Sequence, residues 1–322
     1  MRSMAHFLVT GGAGFIGSNL VKALLKRGDK TRVLDNFSTG KRENVHFPDL
    51  APDLVANLEV LEGDIADLAT CRNATEGVDY VLHQAAIPSV PRSVALPIES
   101  NLANIDGTLN LLVAARDGGV KRLIFASSSA VYGNAPGFPR EEGIAPAPLS
   151  PYAVQKMTAE HYLRVFYELY GFETVSLRYF NVFGPRQDPN SEYAAVIPRF
   201  IKAFITATQP TVYGDGEQSR DFTYVDNVVY GNLLAAEAPD APGKTMNLAC
   251  GGQLTLNQLL DILRRITGSQ TEAVYTDPRP GDVRHSWADI TLSQQALNYN
   301  IQVPLEEGLA STVEYFRSVF KS

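Results

Sequence analysis

Tyr152 and Lys156 have the types and the spacing to move a proton. In Tyr152-Ala153-Val154-Gln155-Lys156 they stand four apart, so on a helix they share one face. A free tyrosine titrates near 10, and acting as a base at neutral pH requires a drop of about three units, roughly 4 kcal/mol. A neighbouring ammonium acts in that direction. Upstream, an apolar run ends in Ser127-Ser128-Ser129-Ala130-Val131-Tyr132-Gly133. A serine hydroxyl at the end of a strand can share the proton and orient a substrate oxygen.

A second constellation supplies a place for a cofactor. Gly11-Gly12-Ala13-Gly14-Phe15-Ile16-Gly17 is a G-x-x-G-x-x-G directly after a strand-like segment and before a helical pattern. Glycines suit a tight turn whose backbone must approach a pyrophosphate, and the helix N terminus adds free N–H groups and partial positive charge. Asp35, followed by Asn36, ends the next strand, where an acidic side chain accepts hydrogen bonds from ribose hydroxyls. Asp64-Ile65 ends the third and can hold an adenine. A carboxylate at Asp35 repels a 2′-phosphate, which favours NAD over NADP; Lys41 and Arg42 read as solvated loop charges. The nicotinamide ring would add a second positive charge near Tyr152, and Lys156 can hold its ribose.

The elements that must position these groups follow from periodicity. Strands are predicted at His6–Thr10, Thr31–Asp35, Leu58–Glu62, Tyr80–Gln84, Leu123–Ser127 and Glu173–Tyr179, with helices at Phe15–Lys26, Leu68–Ala74, Asn101–Arg116 and Tyr152–Tyr170. This alternation implies βαβ units and an α/β fold with a doubly wound parallel sheet. After Asn181 the rhythm changes, and two helical runs remain, Leu256–Thr267 and Leu305–Phe320. The expected division is a Rossmann domain over 1–180 and a smaller α/β substrate domain over 181–322, with 222–250 packing back on the first.

Composition narrows the classes. The 322 residues are 45% apolar and 20% charged, with net charge −7. No basic run exceeds two residues, which argues against nucleic acid or an anionic membrane as partner. Two distant cysteines and five histidines without ligand spacing predict neither a disulfide framework nor a metal site. With no apolar stretch long enough for a span and no signal pattern at the N terminus, a cytoplasmic protein is expected.

Taken together, these motifs resemble the extended short-chain dehydrogenase/reductases, and among them the nucleotide-sugar 4-epimerases, over essentially the whole length. The resemblance rests on the glycine motif, Leu82-His83-Gln84-Ala85-Ala86, the serine strand, Tyr152/Lys156, Arg178-Tyr179-Phe180-Asn181-Val182-Phe183-Gly184-Pro185, Gly214-Asp215-Gly216 with Arg220-Asp221, and Arg279-Pro280-Gly281-Asp282. It implies Ser128, Tyr152 and Lys156 as catalytic groups. Gln84, Ala85, Ala86, Asn104 and Tyr179 join the cofactor site. Ser89, Arg92, Ser128, Ser129, Asn181, Tyr213, Arg220, Arg279, Asp282 and Ser286 would hold a UDP-sugar; guanidinium groups suit a diphosphate on their own chemistry. A homodimer is implied through Asn101–Arg116 and Tyr152–Tyr170, with Leu109, Leu112, Tyr162 and Phe166 outward.

The resemblance also separates reactions. Dehydratases carry an Asp-Glu pair after the catalytic hydroxyl and decarboxylases a glutamate two residues after it, whereas Ser129-Ala130 stand here. What remains is epimerisation: Tyr152 takes the O4 proton, NAD takes the C4 hydride, and the hydride returns to the other face of the 4-keto sugar. Pro88 replaces a lysine common in glucose/galactose epimerases, within a Ser89-Val90-Pro91-Arg92-Ser93 string similar to that of enzymes of N-acetylated UDP-hexosamines. Ser286, four residues after Asp282, resembles an open gate beside the sugar's C2 substituent. The expected pair is UDP-N-acetylglucosamine/UDP-N-acetylgalactosamine. Alternatives are UDP-glucose or UDP-glucuronate 4-epimerisation, and a non-catalytic NAD-bound regulatory protein.

Overall fold

The computed structural model describes residues 4–189, 195–278 and 283–320. The chain opens with β1 (His6–Thr10), α1 (Phe15–Lys26), β2 (Lys30–Asp35) and β3 (Leu58–Glu62). Next come α2 (Leu68–Thr75), β4 (Tyr80–His83), α3 (Gly107–Asp117), β5 (Arg122–Ser128), α4 (Pro151–Tyr170) and β6 (Glu173–Tyr179). Then follow α5 (Val196–Ile205), α6 (Val225–Glu237), β7 (Thr245–Leu248), α7 (Leu256–Thr267) and α8 (Leu305–Phe320).

The seven strands form one sheet in the order β7-β6-β5-β4-β1-β2-β3, and every pairing is parallel. The order reverses between β1 and β4, and at such a switch point the carboxyl ends of the strands leave a crevice for a ligand. Alternation along the strands feeds both faces. Phe7 and Val9 join α1 (Leu20, Leu24) and α6 (Val228, Val229) on one side. Leu8, Leu123 and Phe125 join α3 (Leu111, Leu112) and α4 (Leu163, Phe166) on the other. Both α6 and β7 thus sit with the large sheet, although they follow Asn181 in the chain. A separate core joins α5, α7 and α8 through Phe200, Phe204, Leu259, Leu263, Leu309 and Phe316.

Local signals set the helix ends. Ser150 caps α4, accepting the Ala153 N–H at 3.2 Å, Pro151 occupies its first turn, and Gly171 ends it at φ +64°. A Thr255/Gln258 capping box starts α7.

Two expectations change. The helix expected over Asn101–Arg116 is interrupted by a π-turn at Leu102–Asp106, preceded by a short helix at Pro97–Asn101. The bulge carries Asn104 inward, where it bonds the backbone of Ile87 in both directions, at 2.8 and 3.2 Å; such bulges recur at functional sites. Leu112 and Phe166, expected to face outward, are 0% and 5% exposed and belong to the core between sheet and helices. Leu109 and Tyr162 pack at its rim. A helix lying on a sheet spends its strongest apolar stripe on that sheet. No helix among the described residues is long and apolar enough to cross a membrane.

Candidate active site

The glycine turn lies at the carboxyl end of β1, against the end of β4. Gly11 has φ +67°, and a Cβ there would come within 2.7 Å of the Ala85 nitrogen. A Cβ on Gly17 would lie 2.1 Å from the Gly11 carbonyl oxygen. The turn therefore tolerates no side chain at either place. Gly14 is the N-cap of α1 with no side chain capping it, so Phe15, Ile16 and Gly17 open a helix whose positive end faces the crevice. This cradle fits a pyrophosphate and hence NAD.

Asp35, 7% exposed, accepts the N–H groups of Ala13 at 2.9 Å and Phe37 at 2.8 Å. Each carboxylate oxygen keeps a lone pair for a ribose hydroxyl. Asn36 donates to Asp64 at 2.8 Å, and the Arg42 guanidinium stacks on Phe37 at 4.2 Å. Both cations after Asp35 are engaged by carboxylates, Lys41 with Asp188 at 3.7 Å and Arg42 with Glu62 at 2.6 Å. Ile65 is buried over Gly107 of α3. Gln84 donates to the Tyr179 hydroxyl at 3.2 Å, and Asn232 of α6 donates to that hydroxyl at 2.8 Å. Burial pushes the Tyr179 hydroxyl well above its ordinary pKa. Sequence reasoning missed Asn232, whose only signal is a polar residue within the largely apolar stretch Val228–Ala236.

Ser128 ends β5 and caps the following turn, its Oγ accepting the Ala130 N–H at 3.1 Å; Ser129 begins that turn. The Tyr152 hydroxyl lies beside Ser128, and the Tyr152 backbone N–H donates to the Ser93 hydroxyl at 3.1 Å. Lys156 donates from Nζ to the Ala126 carbonyl at 2.7 Å and lies 5.9 Å from the Tyr152 ring centre. The three groups predicted to carry the chemistry are therefore together. Their electrostatics differ from the simple expectation. Burial pushes Tyr152 up to about 12, against the opposing bond from Ser128. Burial also pulls Lys156 down to about 7, with Glu160 opposing. The chain alone thus keeps Tyr152 a phenol at neutral pH, and the low tyrosine pKa read from the ammonium is not a property of this pair in isolation. Gln155, also missed, takes hydrogen bonds from Ser100 at 2.7 Å and Asn104 at 2.8 Å, tying α4 to the π-turn.

Beyond β6 lies a cavity of about 320 Å³ lined by Asn181, Val196, Arg199, Tyr213, Gln218, Arg220 and Phe222. Asn181, Tyr213 and Arg220 come to it as predicted neighbours. Val196 and Arg199 come from α5, which was not predicted although its apolar periodicity is strong. Arg199 stands over the Tyr213 ring at 5.7 Å. Ser286 pairs with Arg220 in a parallel two-residue ladder, which makes it a neighbour of that lining residue. Ser89 caps the helix Val90–Ala95 through the Arg92 N–H at 3.1 Å, and the Arg92 guanidinium bonds Glu99. Arg279 and Asp282 lie outside the described residues. Among the described residues no three His, Cys, Asp or Glu side chains converge as a metal cluster.

Comparison with known proteins agrees with this geometry. The chain is similar to the solved UDP-N-acetylglucosamine 4-epimerase from Methanobrevibacter ruminantium M1 in complex with UDP-N-acetylmuramic acid: 44% identity, TM-score 0.93, covering 99% of this chain and 100% of that one. It is also similar to UDP-glucose 4-epimerase from Thermotoga maritima with UDP-glucose, at 41% identity and TM-score 0.91 over 98% and 99% of the two chains. UDP-glucuronate 4-epimerase of Thermodesulfobacterium geofontis is 34% identical over 97% of this chain and 96% of its own length. Residues 7–249 match the NAD dependent epimerase/dehydratase family, and the chain belongs to that family.

Proposed function

We propose that this NAD-dependent UDP-sugar 4-epimerase interconverts UDP-N-acetylglucosamine and UDP-N-acetylgalactosamine. The observation that carries the reading is Ser286, a small side chain in register with Arg220, which itself lines the cavity. A small residue there leaves volume for an N-acetyl group at C2. The 44% identity with a UDP-N-acetylglucosamine 4-epimerase supports the same substrate class.

The chain's own groups divide the work. Ser128 orients the sugar O4 and shares its proton with Tyr152, which removes it. NAD, when bound on the glycine turn and Asp35, supplies hydride acceptance and return at C4. Lys156 brings a positive charge that lowers the cost of the tyrosinate. Arg220 pairs with the diphosphate, and Asn181 and Tyr213 line its approach. Ser129 and Ala130 bring no carboxylate to C5 or C6, so the 4-keto sugar has no route to dehydration or decarboxylation and is reduced again. A second copy of the chain is the expected partner, and the exposed apolar residues Ile98, Leu102 and Val154 near the π-turn and α4 support that pairing.

Assaying the purified enzyme on UDP-N-acetylglucosamine, UDP-glucose and UDP-glucuronate side by side tests the substrate. The highest kcat/KM is expected on the N-acetylated sugar. Turnover of UDP-glucose or UDP-glucuronate alone overturns the substrate assignment and leaves the reaction class standing.

A further inference from the structure

Three consecutive residues of β5 each receive one side chain from α4. Tyr152 lies beside Ser128, the Ala126 carbonyl accepts from Lys156, and the Ser127 hydroxyl donates to Glu160 Oε1. Tyr152, Lys156 and Glu160 are spaced by four, so one face of the helix carries all three. Glu160 and its partner Arg178 are 6% and 4% exposed. Arg178 stands opposite Ser127 on β6 and grips the carboxylate twice, Nε to Oε1 at 2.9 Å and Nη2 to Oε2 at 2.7 Å. The proton relay does not itself require this buried ion pair.

We propose that Glu160, clamped by Ser127 and Arg178, is a positioning residue for the reaction: a fixed buried anion one helical turn beyond Lys156 that keeps its ammonium charged. The proposal rests on the reading of Tyr152 and Lys156 as the proton relay.

Lys156 is 4% exposed, with Nζ 4.5 Å from the centre of the Phe125 ring, and such burial favours the neutral amine. The titratable and charged groups around it are few. On its own helix stand Tyr152 and Glu160. On β4 stands His83, which burial pushes down to about 3 and so leaves neutral. On β6, beyond Glu160, stands Arg178. Glu160 is the one anion of this set, and it opposes the downward pull on Lys156. The bidentate grip of Arg178 matters as much as the charge. A loose glutamate at i+4 would pair directly with the lysine and occupy its donors. Held on both oxygens, the carboxylate acts through space, and the Lys156 N–H groups not bonded to Ala126 are left for the reacting groups.

The test uses the NAD-loaded enzyme and three variants: Glu160→Gln, Glu160→Asp and the double variant Glu160→Gln/Arg178→Met. Three quantities are measured: the pH dependence of kcat for epimer exchange, Tm, and the 13Cε titration of Lys156, identified by its loss in Lys156→Met. In Glu160→Gln, the Lys156 midpoint and the alkaline limb of kcat should both fall by about one pH unit, with KM little changed. Glu160→Asp, which keeps the charge, should recover most of the profile. The double variant removes both members of the Glu160–Arg178 pair and so strands neither, and Tm should recover while the alkaline limb stays displaced. A loss of Tm with an unmoved profile and midpoint overturns the proposal. So does a double variant that recovers both, or one that yields no folded protein, since the pair then serves the fold alone. Tyr152→Phe separates the two readings: if it retains exchange, the relay itself fails; if it is inactive while the Glu160 variants titrate normally, only this proposal fails.

Discussion

The two ends of the active crevice are built on opposite plans. The proposed dinucleotide end is mostly backbone: a glycine turn, the uncapped start of α1 and one carboxylate, Asp35, lie within twenty-five residues of chain. The proposed sugar end is assembled instead from side chains far apart in the chain: Ser128 on β5, Arg199 on α5, and Arg220 and Ser286 on a small ladder. A backbone cradle recognises what every substrate cycle shares and cannot be retuned without breaking the turn. A side-chain wall can change its sugar by single substitutions while the chemistry stays fixed.

Predictions that break or sharpen this contrast run from the reacting atoms outward. Tyr152→Phe removes the proton acceptor but keeps the ring, so exchange should fall by about 10²–10⁴-fold with Tm and NAD content unchanged; a variant keeping over half of normal turnover removes Tyr152 from the mechanism. Gly17→Ala drives a Cβ to 2.1 Å from the Gly11 oxygen, and overpacking of this kind costs about 1–3 kcal/mol. The purified variant should carry no NAD by absorbance, and full occupancy would refute the cradle.

Asp35→Ala should weaken NAD binding by about 10–100-fold, the loss of charge-assisted hydrogen bonds, and narrow the preference over NADP; calorimetric titration with both dinucleotides measures each effect. Ser286→Tyr acts only on the other plan. Turnover of the N-acetylated pair should fall at least about tenfold more than that of UDP-glucose/UDP-galactose, with NAD content untouched. Equal losses on both pairs would remove the gate.

The smallest effect concerns stability. Lys156 titrates near 10.5 in the unfolded chain and at about 7 when folded. Between these values the unfolded chain binds the extra proton, so this group's contribution to stability rises with pH across that window and its burial penalty is complete below it. Lys156→Met should therefore raise Tm by a few degrees at pH 6 and by progressively less toward pH 10. A constant offset across the range would show that packing, not charge, sets the difference.

Six of the seven sheet strands and α1, α7 and α8 were legible because each is a local pattern, a short apolar run or a 3.6 period bounded by Gly, Pro or a cap, whereas β7 was not foreseen. The dinucleotide end was legible for the same reason, since turn, helix start and Asp35 are neighbours in sequence. The meeting of Ser128, Tyr152 and Lys156 was legible because i, i+4 spacing fixes a helix face and the serine strand fixes its partner. What the sequence by itself determined is thus everything that a run of about thirty residues can specify through backbone geometry.

Tertiary structure alone decided the rest. The π-turn that brings Asn104 to Ile87 has no signature in periodicity, because one extra residue in a helix is invisible until its neighbours pack. Leu112 and Phe166 present the same apolar pattern whether a sheet or a second chain covers them, and only the position of β4 and β5 assigns them to the core. Arg199 and Asn232 look like ordinary helix residues until α5 closes the cavity and α6 returns to the sheet. The values of Tyr152 and Lys156 were equally out of reach. Desolvation depends on how much protein surrounds a group, and burial displaces this pair from its ordinary pKa values more strongly than the neighbours that its sequence motif names.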